Sequence, residues 1–252
     1  MGRSFRFGAW GWITIIILNL SLWLLFILAV SRFGLRDVDL PDGVNILVNG
    51  DFEDGTLTPN CTAGVQNVCQ PPGPNQQPIP GVQAIPPAEL TSVPGWTVVV
   101  KPKQDVAWVG PDNPFAGDIA SHGHKFIDLS GYTDQFVSGS FGGMKQTFNA
   151  KAKKRYMLSF DIGVFIASSL PAFSGPITVV ASIDDQTLSP PCGFNPTASG
   201  KQWMTCKYTI DASKDATTRT LTIVATAGKQ YIGLDNVSVQ CLTPLGGTGL
   251  CQ

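Results

Sequence analysis

The sequence predicts an all-β, jelly-roll β-sandwich of about ten strands preceded by one transmembrane α-helix. Three observations carry this reading. An uncharged apolar run lies near the N-terminus, period-2 alternation pervades the remainder, and all six cysteines follow the run.

The run comes first. No charge occurs in the 25 residues between Arg6 and Arg32. A helix over 9–31, rising ~1.5 Å per residue, is long enough to cross a hydrocarbon core ~30 Å thick. Thr14, Asn19 and Ser21 are its only clearly polar members, and Trp10 and Trp12 fall near the expected interface. The rival is a cleaved signal peptide, with Ala29-Val30-Ser31 as its small-residue site. A signal's apolar stretch is usually ~7–15 residues, shorter than this one. Arg3 and Arg6 nearly balance Arg32 and Arg36 across the span, so basic residues do not orient it. The cysteines do, because an even number confined to one side points to disulfides and an oxidising compartment. Residues 1–8 are therefore expected in the cytoplasm and the rest in a periplasmic or extracellular space.

A short connector, 32–43, leads to a β-domain at 44–241. Of the 17 Lys and Arg and 18 Asp and Glu, 13 and 16 lie beyond Pro41, a mildly acidic balance that argues against nucleic acid as a partner. Tyr156, Leu158, Phe160 and Ile162 alternate with polar or small neighbours, as do Ile177, Val179, Ala181 and Ile183, and Leu221, Ile223 and Ala225. This is the signature of half-buried antiparallel strands. Further strands are expected at 45–49, 96–101, 106–109, 125–129, 144–148, 203–210 and 231–240. The stretch 58–94 is rich in Pro, Gln and Asn and reads as a long loop or arm, because proline removes backbone donors. Short separations favour Cys61–Cys69, Cys192–Cys206 and Cys241–Cys251, the last tying down a tail at 242–252, although six cysteines allow fifteen connectivities.

Particular strings then stand out. Asn45-Ile-Leu-Val-Asn-Gly-Asp-Phe-Glu-Asp-Gly55, Val93-Pro-Gly-Trp96 and His124-Lys-Phe-Ile-Asp-Leu-Ser-Gly131 occur in that order. They are followed by Gly142-Gly-Met-Lys-Gln-Thr-Phe148, Tyr156-Met-Leu-Ser-Phe-Asp-Ile-Gly163 and Gly233-Leu-Asp-Asn-Val-Ser-Val239. The series resembles the landmarks of galactose-binding-like jelly rolls, which include carbohydrate-binding modules and a plant cell-wall domain family of unknown function. The insertion and the anchor depart from that pattern. The resemblance implies a structural calcium where the first and last strands meet, with Glu53 and Asp235 as ligands and Asp51 as a third contributor. Hard oxygens suit calcium, and backbone carbonyls would complete its shell.

For a saccharide, aromatic platforms are expected at Trp108, Tyr132 and Trp203, while Trp96 reads as core. His122 and His124 read as loop residues, and Asn60-Cys-Thr and Asn236-Val-Ser as sequons of little weight. No nucleophile elbow, zinc-protease motif or phosphate loop occurs, so a non-catalytic protein is expected. The main expectation is an accessory subunit of a larger membrane complex, an energy-transducing (for example photosynthetic) assembly by analogy. Its anchor and Pro-rich arm would contact integral membrane subunits and lipids. The alternative is a membrane-tethered module recognising cell-wall or extracellular polysaccharide.

Overall fold

The computed structural model describes residues 40–59, 69–70, 77–86, 92–99, 105–113, 120–131, 141–166, 176–197, 200–211, 213–215, 217–228 and 231–243. The chain divides into one unit of Met1–Leu40 with Pro244–Gly247 and another of Pro41–Thr243 with Thr248–Gln252. The described residues fall almost wholly in the second. The expected helix at 9–31 lies outside them, and among the described residues no helix is long and apolar enough to cross a membrane.

The strands are β1 (Leu40–Asn45), β2 (Cys69–Gln70), β3 (Gln77–Pro78), β4 (Val82–Ile85), β5 (Thr97–Val99), β6 (Val106–Val109), β7 (Phe126–Asp128) and β8 (Gly143–Ala150). They continue with β9 (Arg155–Ile166), β10 (Ile177–Ile183), β11 (Gln186–Thr187), β12 (Cys192–Phe194), β13 (Gly200–Ile210), β14 (Thr217–Ala227) and β15 (Gly233–Thr243). A seven-stranded sheet runs β13-β9-β15-β7-β6-β4, with β1 also on β15. A six-stranded sheet runs β11-β10-β14-β8-β5, with β12 also on β10. The paired strands run antiparallel.

Alternation decides the core. Leu158, Phe160 and Ile162 of β9 and Leu234 and Val239 of β15 turn inward to meet Val179, Ala181, Leu221 and Ile223 of the other sheet, all fully buried. Ile183 and Gln186 pair across the two-residue turn Asp184-Asp185, whose φ values of 50° and 65° suit the twist of a hairpin. Cys192–Cys206 ties β12 to β13, joining an edge of one sheet to an edge of the other with Cα atoms 6.0 Å apart. Closing a loop of this size contributes about 3 kcal/mol in the chain-entropy account. Cys241 is also disulfide-bonded. Its partner, the Cys61 and Cys251 residues and the Cys69 side chain lie outside the described residues.

Two expectations are corrected. The first strand spans Leu40–Asn45, starting inside the expected connector, instead of 45–49; beyond it the chain turns, with Asn49 and Phe52 at φ values of 51° and 57°. Side-chain amides supplement the backbone bonds there. Asn45 Nδ2 donates to Val237 O while its Oδ1 accepts from Val239 N, and Gln146 exchanges two bonds with the backbone of Val48. The Pro-rich stretch is also not all loop. Its residues 82–85 form β4, fully buried and paired with β6, and Gln83 Oε1 accepts Thr58 N.

Candidate functional site

The outer face of the seven-stranded sheet holds two features that a plain sandwich lacks. The first is a second apolar cluster over β4, β6 and β7, made of Ile79, Val82, Ala84, Ala107, Val109, Ala120 and Phe126. The second is Trp203, which packs against that cluster from the far edge strand. Trp203 pairs with Gly163, and Gly163 with Gly233, so three neighbouring strands present a Trp-Gly-Gly row. The indole lies over both glycines. A Cβ on Gly163 would fall 2.2 Å from the ring, and one on Gly233 would fall 2.6 Å from it. Its edge meets Phe126 at 5.8 Å and 83°. The ring is half-buried, with its inner face spent on backbone.

One row further along, Thr205, Asp161 and Asp235 share the same face in register. Asp161 is 7% exposed and gathers three side chains. Ser121 Oγ donates to its Oδ2, Thr205 Oγ1 donates to its Oδ1 at 2.5 Å, and Asn236 Nδ2 donates to Oδ2 at 3.2 Å. Asn236 projects from a bulge with φ 49°. Thr205 and Asn236 are exposed and Ser121 is half-buried. The result is a buried carboxylate with a polar rim beside a tryptophan.

The loop over this row hangs on two acids from opposite ends of the domain. Asp235 is fully buried and accepts His122 N at 2.9 Å, Asn236 N at 2.6 Å and Ser121 N. Burial, reinforced by neighbouring Asp161, pushes its carboxyl up to about 7 despite those amides. Glu53 Oε1 accepts both His124 N and Lys125 N at 2.6 Å. Gly123 closes the turn at φ 64° with no room for a side chain against Glu53.

The calcium expectation is tested by these bonds. The oxygens of Glu53 and Asp235 face amide donors of one loop, and Asp51 Oδ1 faces Glu53 N at 3.5 Å. Among the described residues no group of three or more His, Cys, Asp or Glu is placed to hold a metal ion. In this arrangement Glu53 and Asp235 anchor the 121–125 loop through its amides.

The aromatic expectations separate. Trp108 faces the core at 0% exposure, its indole N–H donating to Phe52 O and Lys125 Nζ lying 5.1 Å from the ring centre. A ring with no open face offers no platform, so Trp108 is corrected to a core residue. Trp96 is core, as expected, with its N–H on Asn49 O. Tyr132 lies outside the described residues. Trp203 stands half-buried against the second apolar cluster. Asp161, Ser121, Thr205 and Asn236 were not anticipated. A signal existed in Gly163 and Gly233, since glycine inside an apolar strand marks a close approach.

No protein-family model matches the chain, and no curated protein matches its sequence. Solved structures do. A cyclase from Fischerella sp. TAU, in complex with 4-(1H-indol-3-yl)butan-2-one, is 19% identical; the match covers 80% of this chain and 98% of the cyclase at a TM-score of 0.50. TmCBM61 in complex with β-1,4-galactotriose is 13% identical, covering 58% and 88% at 0.35. CBM35 from Paenibacillus barcinonensis is 13% identical, covering 63% and 97% at 0.32. At 19% identity the likeness to the cyclase speaks to fold alone.

Proposed function

We propose that the sandwich is a non-catalytic carbohydrate-binding module that takes saccharide on the outer face of its seven-stranded sheet. The observation that carries the reading is Trp203, seated flat on Gly163 and Gly233 beside a rim of Ser121, Thr205 and Asn236. Sugars have apolar C–H faces ringed by hydroxyls, so they match an aromatic face flanked by hydrogen-bonding groups. The carbohydrate-binding modules among the structural neighbours agree with this reading. Within the Pro-rich stretch, residues 82–85 are a buried strand and so are not offered to a partner. Placement behind an N-terminal membrane segment remains part of the proposal.

The test is saccharide binding by the full-length chain and its Trp203→Ala variant, screened on a glycan array and quantified by calorimetry. A central aromatic contributes about 2 kcal/mol, so Trp203→Ala should weaken binding roughly 30-fold. Binding that is unchanged in the variant, or absent from the native chain, overturns the proposal.

A further inference from the structure

We infer that the site selects neutral, hydroxyl-rich saccharides over acidic ones, an inference that rests on the saccharide-binding reading above. It follows from where the protons are. A carboxylate only accepts, and Asp161 takes the single hydroxyl proton of both Ser121 and Thr205. Each hydroxyl oxygen then has only lone pairs to offer a ligand. Asn236 spends one amide proton on Asp161, keeping one donor and a carbonyl oxygen. The rim around Trp203 is therefore an acceptor surface with one spare N–H, and the buried acids Asp161 and Asp235 lie beneath it.

Sugar hydroxyls donate, so a neutral glycan satisfies those acceptors. A uronate or sulfate oxygen only accepts, and would set lone pairs against lone pairs over the Asp161 carboxylate. Lys201 and Lys207 flank the patch on the same strand face, but both are exposed. Solvated ammonium groups contribute little to a short-range contact. Asp161 is thus a positioning residue that sets proton direction for its neighbours without reaching the ligand.

The experiment compares neutral β-1,4-galactan or glucan oligosaccharides with oligogalacturonate of equal length, by calorimetry on the full-length chain at low ionic strength. Neutral oligosaccharides should bind roughly tenfold tighter or more, with Trp203→Ala weakening that binding. Asp161→Asn keeps one accepting oxygen, so it frees one of the two hydroxyl protons and should narrow the preference to within roughly threefold. Thr205→Val, which removes one acceptor and preserves shape, should weaken neutral binding alone and guards against a misfolded Asp161 variant. Oligogalacturonate binding that equals or exceeds neutral binding, and still depends on Trp203, overturns the selectivity and leaves the module intact. No Trp203-dependent binding of either probe overturns the module itself, and the selectivity with it.

Discussion

The two sheets share a core but treat their outer faces in opposite ways. In the six-stranded sheet, β8 from Met144 onward and β10 alternate, so Lys145, Thr147 and Asn149 stand in solvent between buried neighbours. In the seven-stranded sheet, β4, β6 and β7 are buried at every position because a second apolar cluster covers them. Carboxyls follow the same division. Burial alone would raise Asp184, at the β10–β11 turn, but the Thr220 N–H and Arg219 hold it below the usual range. Asp105, just before β6, is pushed up to about 6 by burial and by nearby Asp128, and its Oδ2 is buried without a partner. Where both faces of a sheet are covered, polar groups are costly and specific. Such a face is where a binding function has something to work with.

The largest test of this contrast is packing. Phe126→Ala, on the covered face, should cost about 3 kcal/mol, whereas Thr147→Ala on the open face should stay within about 0.5 kcal/mol. In thermal unfolding that is a gap of roughly 10 °C. Equal melting temperatures would mean that the second cluster adds no stability.

A smaller loss is expected from Gly163→Ala, about 1–3 kcal/mol, because its methyl would enter the Trp203 ring. Tryptophan fluorescence should report the displaced indole, and an unmoved spectrum would refute the seating. Gly143 serves as the matching site on the other sheet, since a Cβ there meets the backbone of Ile223 and no aromatic ring.

Next comes pH. The folded Asp105 carboxyl, at about 6, lies above its unfolded value of 3.8, so between the two the native state holds a proton that the unfolded chain has lost. The penalty is full above pH 6 and fades as pH falls toward about 4. Asp105→Asn should therefore stabilise the protein at pH 8, by about 1–2 kcal/mol after allowing for solvent screening, with no gain near pH 4. A gain that does not vary with pH would rule out charge burial as its source.

The smallest effect is expected from metal removal. Since amides occupy the anchor carboxylates, chelator should move the melting temperature by no more than about 1 °C. A drop of several degrees would instead return Glu53 and Asp235 to a calcium shell.

The same contrast explains what the sequence made legible. Ile177–Ile183 and Val106–Val109 appear with the expected bounds, β8, β9, β13 and β14 enclose their expected cores, and β15 starts two residues later than expected and runs on to Thr243. Cys192–Cys206 formed as its short separation suggested. Strand β4 escaped notice because Val-Gln-Ala-Ile, buried on both faces, has no period of two and sits among prolines. Trp108 and Trp203 look alike in the chain, and only register separates them. The first stands in line with Ile127 of the core, the second with Gly163 on the outer face. Asp161 was hidden for a related reason, since nothing local announces that Ser121, Thr205 and Asn236 converge on it.

The pairing of β1 with β15 has a practical consequence. Ile46 N bonds to Val239 O and Val237 N to Gly50 O, so the two segments run antiparallel and the start of β1 lies beside the end of β15. The sandwich is therefore portable. A permuted chain that joins Thr243 to Leu40 through a short linker, and opens at the Asp184-Asp185 turn, keeps the strand order of both sheets. The module can thus be inserted into a loop of another protein, carrying the Trp203 face with it.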